Sequence, residues 1–582
     1  MRPRKAVNAY NQPVVFSFLS SRFGRALRIA VGAGAGFALV LTMVVSAQGQ
    51  TATPAQKQTA AAAKVEATHA GQGRILLVLP FENRTGQPSL DWIQEAAAAL
   101  LNSRFKSAGF APLDREDRLY ALAHLGLPED FEPTMATDIK VAETVDVNDI
   151  VVGRFSMQGN EMVAEAQLVN VPHLRMSEPL TTRGPLIDMI AIFDSLAWKL
   201  TKEIDPKFSV AEGTFVAAGA DLRLDAFEQY IRGITAPLQS ERMAHLEQAV
   251  KLSPGYSAAW MGLGREEYSL QEYDKAAQAF AKVDRSGTDG LAAGFYRGLS
   301  LLFTHDYAGA QEAFAGVARV LPLAEVLNNE GVAVSRAGKD GTSLFVQAVA
   351  ADPNTALYHF NLALSLKRHG NTAAALSEMA ACLKLHPGDS VAQDLLTQWK
   401  APTGQPDRKA ASAGSAPAGS SADSEPQERV VRTFNAAAFR QAAAVLNQME
   451  AARVAGLPAP ERAKKLCAQA EDYLNRGLVL EAERLYQSAL RADPKIAAAH
   501  AGLAEVRLRT GDTVSARKQA HEALQLDPSA EAYLVLSRLD LAAGHLTRAG
   551  NEAGAALKLD PANQAAQQLR RQIVAKQVKK AE

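Results

Sequence analysis

The sequence predicts a mostly helical chain with one small α+β domain towards its start, and three observations carry that prediction. Pro494, Pro528 and Pro561 stand 34 and 33 residues apart, each closing a near-copy of one phrase: RADP, QLDP and KLDP. Small residues recur in columns ahead of them: Gly477, Gly511 and Gly544, then Ala482, Ala516 and Ala549, then Ala489, Ala523 and Ala556. A helix pair needs a small residue where its second helix crosses the first, since a larger side chain holds the backbones apart, and a proline where the second helix must stop. The third observation is a stretch from about 74 to 205 that abandons this rhythm for short apolar runs and strand alternation.

The repeating stretch resembles the tetratricopeptide repeat family. Leu503 and Leu536 match its first helix, Tyr486 its second, and the alanine and proline columns match as they stand; the family's first-helix tryptophan is replaced by Leu466, His500 and Tyr533. The same pattern appears earlier, closing at Pro254, Pro322, Pro353 and Pro387. Trp260, Leu263, Gly264, Tyr273, Ala276 and Phe280 match one unit, Gly298, Tyr307, Ala310 and Phe314 the next, and Leu362, Ala363, Ala375 and Leu383 a later one. The resemblance implies two solenoid blocks: about five partly degenerate repeats over 221–399, and a helical lead-in with three repeats over 430–561. Residues 390–399 cap the first block and 562–582 form a capping helix and basic tail after the second, because a stack needs a partly polar end.

The chain opens with Arg2, Arg4, Lys5, Arg22, Arg25 and Arg28 ahead of an uncharged apolar run from Ile29 to Ala47. This order reads as a signal peptide or signal anchor over 1–47, with Val45-Ser46-Ala47 as a small-residue cleavage site. It places the remainder outside the cytoplasm, in the periplasm or held on the outer face of the inner membrane through 29–47. The glycines of GAGAGF belong to that apolar core and lack the strand and spacing of a phosphate loop. Residues 48–73 are short and polar, too poor in large aliphatic groups to bury anything, and read as a flexible tether.

Within 74–206, Ile75 to Leu79 is a continuous apolar run suited to a strand covered on both faces. A helix with Ile93, Ala97, Leu100, Leu101 and Phe105 on one stripe follows, closed by Gly109. Next come a short strand at 110–113, helices near 115–125 and 135–145, a hairpin of DIVVGRFSM and EMVAEAQLVNV, and a helix opened by Pro185. The opening VLPFEN and the hairpin resemble the TolB amino-terminal-like (FlgO-like) domains of bacterial envelope and signalling proteins. That resemblance implies a module of contact that brings no agreed catalytic residues.

Composition excludes more than it assigns. With 62 basic and 62 acidic residues the chain carries no electrostatic footprint for nucleic acid. Its two cysteines, Cys382 and Cys467, fall in repeat helices with no ligand spacing around them and read as core residues. Residues 400–429 are rich in Pro, Gly, Ser and Ala and read as a disordered linker between the blocks. Walker, HExxH, GxSxG and EF-hand patterns do not occur. The acidic groups Asp114, Glu116 and Asp117, and Glu129, Asp130 and Glu132, read as solvated helix starts and loops, and His305, His369 and His545 as turn residues. No catalytic residue, cofactor or metal ligand is expected.

The function read from the sequence is therefore a non-catalytic, exported scaffold whose partners are other proteins or peptides, touching membrane only through an uncleaved amino-terminal segment. Two alternatives stand beside it: a sensory or regulatory component of a signalling system, and an enzyme hidden in the amino-terminal domain. In the repeat family the first helix of each pair lines a concave face. The resemblance thus implies a groove of Met261, Arg265, Tyr268, Phe295, Leu299, Phe303, Asn328, Arg336, Phe360, Leu364, Lys367 and Arg368, or alternatively packing of the apolar members between repeats. The family's Lys-and-Asn clamp for a chain-end carboxylate has no match, so a bare C-terminus is not the expected ligand.

Overall fold

The computed structural model describes residues 74–128, 134–285, 287–401 and 426–581. The targeting segment and tether, the Glu129–Asp130–Glu132 cluster and most of the 400–429 linker lie outside the described residues. The chain is mostly helical with a small amino-terminal α+β domain, as the repeats and the 74–205 pattern predict. It divides into two compact units, residues 323–335 with 339–430 in one, and the rest of the described residues in the other.

The amino-terminal domain, in the second of these units, is built on β1 (Ile75–Val78), β2 (Glu82–Asn83), β3 (Ala111–Pro112), β4 (Asp149–Gln158), β5 (Glu161–Asn170), β6 (Arg175–Met176) and β7 (Leu180–Pro185). The sheet runs β3-β1-β4-β5-β6, with β2 paired to β4 and β7 to β5. β1 is parallel to both neighbours, whereas β4 and β5 form an antiparallel hairpin in the register Ile150 to Val169 and Met157 to Met162. Alternation along β1 sends its side chains to two cores. Leu76 and Val78 join α1 (Trp92–Ala108) and α4 (Met189–Ile204) around Phe81, Phe105 and Phe193, while Leu77 and Leu79 join α2 (Arg115–His124) and α3 (Met135–Thr144). Phe81 meets Phe193 edge-on, with centroids 5.5 Å apart.

One expectation changes here. Pro185 ends β7, and α4 begins only at Met189 after a short 3-10 turn. The sequence LTTRGP is polar and carries no alternating apolar face, so its pairing with β5 is set by backbone hydrogen bonds, while Thr182 ties β7 to α4 by donating its hydroxyl to the Ile192 carbonyl at 3.1 Å.

After a connector carrying α5 (Glu212–Ala217), helical pairs begin: α6 (Leu224–Thr235) with α7 (Gln239–Leu252), α8 (Ser257–Ser269) with α9 (Tyr273–Phe280), and α10 (Gly287–Phe303) with α11 (Tyr307–Ala318). Gly264 and Gly298 lie under the rings of Phe280 and Phe314, where an added Cβ would meet ring carbons at 2.8 and 2.7 Å. Their smallness lets the two helices of a pair approach. The same unit contains α17 (Ala436–Ala455), then α18 (Ala459–Asn475) with α19 (Val479–Ala492), α20 (Ala497–Arg509) with α21 (Thr513–Leu526), α22 (Ala530–Ala542) with α23 (Leu546–Leu559), and α24 (Gln564–Ala581). Gly477, Gly511 and Gly544 take φ of 81°, 79° and 77° just before the second helix of their pairs. Gln271 and His305 occupy the equivalent turns at 63° and 67°, where a side chain is less comfortable.

The alanine column is fully buried: Ala516 packs with Ala504, Ala520, Val535 and Leu536. Ala516→Leu is expected to overpack this contact and cost about 1–3 kcal/mol. Val514, 81% exposed, should accept Val514→Leu within about 0.5 kcal/mol. Thermal unfolding of the two full-length variants checks the register, and equal midpoints would mean that the helices do not cross at Ala516.

Side chains also tie this second repeat block to the amino-terminal domain. Leu480 of α19 joins the core formed by Phe105 and Phe215. Beside it, fully buried Glu483 accepts from the Ala211 N–H at 3.1 Å, the Thr214 hydroxyl, the Gln487 amide at 2.7 Å and both terminal nitrogens of Arg507. Asp114 and Asp117 at the start of α2 pair with Arg440 at 3.1 and 2.7 Å, and Glu116 pairs with Arg265. The acidic start of α2, expected to be solvated, is thus a set of tie points.

In the other unit, α12 (Ala324–Arg336) pairs with α13 (Thr342–Ala351), α14 (Ala356–Arg368) with α15 (Thr372–Leu385), and α16 (Ser390–Lys400) follows. Phe345 fills the site under Gly331, and Phe360, Leu364, Met379 and Cys382 form the core between the last helices. Cys382 is a buried free thiol, as is Cys467 in its own block, and burial pushes their pKa values up to about 11 and about 12.

Candidate peptide-binding groove

The 33-residue repeat sets the site. Asn328 on α12 and Asn361 on α14 stand 33 residues apart, as do Ser335 and Arg368, so each couple occupies one column of successive first helices. Along α14 the spacing Asn361, Ser365, Arg368 places three polar groups on one stripe. Both asparagines are fully buried. A buried amide without a partner costs on the order of 1–3 kcal/mol, so these two require something to bond.

The chain itself supplies it. Pro426–Val430 runs along the first helices without secondary structure of its own. Asn361 holds both backbone polar groups of Arg429, donating to its carbonyl at 2.7 Å and accepting from its N–H at 2.7 Å. Asn328 donates to the same carbonyl at 3.2 Å and accepts from Asn361 at 2.8 Å. This pair reads backbone alone, and any residue but proline satisfies it.

Side chains on either side are read separately. Glu428, only 4% exposed, accepts from the Ser335 hydroxyl and from Arg368, which also holds the Pro426 carbonyl at 3.0 Å. The Arg429 guanidinium lies 3.5 Å from the centre of the Phe360 ring and forms a two-pronged ion pair with Asp389, one prong at 2.9 Å. Asp389 also caps α16 by accepting from the Ala392 N–H at 3.1 Å. Its carboxyl is held below the usual carboxylate range, chiefly by the Arg429 hydrogen bond. The site thus offers a cationic pocket, an amide pair and an anionic pocket walled by an aromatic ring, in that order along the bound segment.

The expected groove residues divide accordingly. Asn328, Phe360 and Arg368 touch the bound strand. Leu364 packs into the helix core, Lys367 turns to Thr372 at 3.2 Å and to the Trp399 ring at 5.8 Å, and Arg336 is half-buried at the end of α12. In the other unit, Phe303 lies under the Arg432 guanidinium at 5.1 Å, and Phe295 meets Phe434 at 5.6 Å. There Tyr268 packs edge-on against Tyr273 and Tyr296, Leu299 is fully buried, Met261 joins the cluster of Ala276 and Phe280, and Arg265 is paired with Glu116. Sequence reasoning missed Asn361, Ser335 and Asp389. The signal for the first two was the 33-residue echo of Asn328 and Arg368; Asp389, ahead of the capping helix, had no echo.

Residues 244–290 and 467–531 match the family model described as Tetratricopeptide repeat. Among solved structures, the chain is similar to YrrB, described as a TPR protein with an unusual peptide-binding site, at 16% identity over 35% of this chain and 99% of that one, with a TM-score of 0.27. It is similar to MamA from Desulfovibrio magneticus RS-1 at 17% identity over 31% and 99% of the two chains, TM-score 0.25. It is also similar to the LpoB C-terminal domain from Salmonella enterica at 21% identity over 21% and 92%, TM-score 0.18. No curated protein sequence matches the chain. The two segments that match the repeat family model fall one in each block of helical pairs, 244–290 in the first and 467–531 in the second.

Proposed function

We propose that this protein is an exported, non-catalytic scaffold of the bacterial cell envelope that binds extended segments of other proteins along its repeat helices. The observation that carries the reading is the Asn328–Asn361 pair, two fully buried amides that between them bond the N–H and the C=O of one residue, Arg429. Main-chain bonding gives such a groove affinity for any extended strand, and flanking pockets give it selectivity. The basic start and apolar run over 1–47 support export, and the VLPFEN opening and long hairpin support a TolB-like contact module in the amino-terminal domain.

Two measurements test the proposal. Asn328→Ala with Asn361→Ala in the full chain should lower recovery of captured envelope proteins at least tenfold at fixed salt, the equivalent of about 1.4 kcal/mol or more; unchanged recovery removes the groove from the function. An enzyme active only outside the cytoplasm, fused after Glu582, should be active, and an inactive fusion would reject the compartment.

A further inference from the structure

We infer that Pro426–Val430 is a resident, displaceable ligand, and that the partner which displaces it carries the same chemistry: an extended segment with an acidic residue followed directly by a basic one. The inference rests on the peptide-binding reading above and deepens it by naming the ligand class and the groove's resting state.

The contacts themselves distinguish a ligand from a mere strap. A strap needs burial, yet here the strand is held at five points by groups that read it: the Pro426 carbonyl, the Glu428 carboxylate, the Arg429 N–H, its carbonyl and its guanidinium. The order of charge matters. Arg368 faces the acidic position and Asp389 the basic one, so reversing the pair would set like charges against each other at both pockets. Phe360 adds selectivity for arginine, whose planar guanidinium stacks on a ring at 3.5 Å while its edge remains free to meet Asp389. Val430 is only half-buried, so within Pro426–Val430 no large apolar side chain anchors the strand, and a competitor able to make the same charge-assisted bonds in these pockets loses nothing there by comparison. What the resident strand has in its favour is covalent attachment, which gives it an effective concentration of roughly millimolar order. A free segment of equal intrinsic affinity therefore binds the intact chain more weakly than a chain whose own strand has been released.

The test uses the full-length protein and two labelled peptides, PQERV and its order-swapped control PQREV, read by fluorescence anisotropy. Releasing the resident strand with Glu428→Lys and Arg429→Glu should tighten PQERV binding at least tenfold over the wild-type chain, and PQREV should bind the released chain at least tenfold more weakly than PQERV. The milder pair Glu428→Gln and Arg429→Gln, with a thermal unfolding midpoint as control, serves if charge reversal perturbs folding. Equal PQERV affinity for wild-type and released chains would overturn self-occupation while leaving the groove's function standing. No binding of PQERV to a folded, released chain would overturn both. Dimerisation of the wild-type chain that the release abolishes would assign the groove to the same strand of a second copy and overturn the partner stated here.

Discussion

Glu483→Ala is expected to destabilise the attachment of the second repeat block to the amino-terminal domain by about 3–5 kcal/mol, the usual consequence of removing one member of a buried ion pair. The carboxylate is wholly enclosed, and Arg507, whose side chain is 13% exposed, would lose its buried ion-pair partner. The Thr214 hydroxyl and the Ala211 N–H would lose their acceptor in the same step. Hydrogen exchange across α19 and α20 in the full chain reads the effect locally. Glu483→Leu combined with Arg507→Met should recover roughly half of the loss, because most of the cost lies in the stranded charge. If the single variant exchanges like the wild type, Glu483 is not the tie between these elements.

Phe193→Ala is the second large effect, expected at about 3–5 kcal/mol, the range for emptying an aromatic site in a packed core. Phe193 is fully buried and sits on the face of α4 that closes over β1, edge-on to Phe81. Gly153 lies beneath the same Phe81 ring, where an added Cβ would come within 2.3 Å of it, so the ring has little room to shift into the vacancy. Ile187, 74% exposed a few residues earlier, provides the control, with Ile187→Ala expected to change stability by about 0.5 kcal/mol or less. Denaturant unfolding followed by tryptophan fluorescence, with Trp260 and Trp399 replaced by Phe in both variants so that Trp92 and Trp198 report, separates the two; equal midpoints would reject the core assignment.

Legibility followed the range of the interactions. Helical pairs were readable because each needs the same local answers every 33 or 34 residues: a left-handed turn at Gly477, a small contact at Ala482, a stop at Pro494. The strand at Ile75–Val78 and the long hairpin were readable because burial on one or both faces imposes period two or a continuous apolar run. β7 was not, since an edge strand with the sequence LTTRGP is held by its backbone. The contacts at the candidate groove were half readable: Asn328, Phe360 and Arg368 lie in the repeat register, whereas Glu428 and Arg429 sit at the end of a stretch whose composition argues against structure. They are ordered by side chains 60 and 40 residues distant, Arg368 and Asp389, and no local pattern announces such partners. The same holds for Thr214 and Glu483, matched in the structure and separated by 269 residues.

That separation sets a timetable for the growing chain. At about 5–20 residues per second, roughly 15–55 s elapse between synthesis of Thr214 and synthesis of the carboxylate it will bond. Asp114 waits longer, with 326 residues to be made before Arg440 exists. During that interval the nascent amino-terminal domain presents Phe105 and Phe215 without Leu480 to complete their core. A translation product ending before α19 would lack both the Leu480 side chain that completes this core and the Glu483 carboxylate that bonds Thr214, and is expected to leave that part of the surface apolar and unsatisfied.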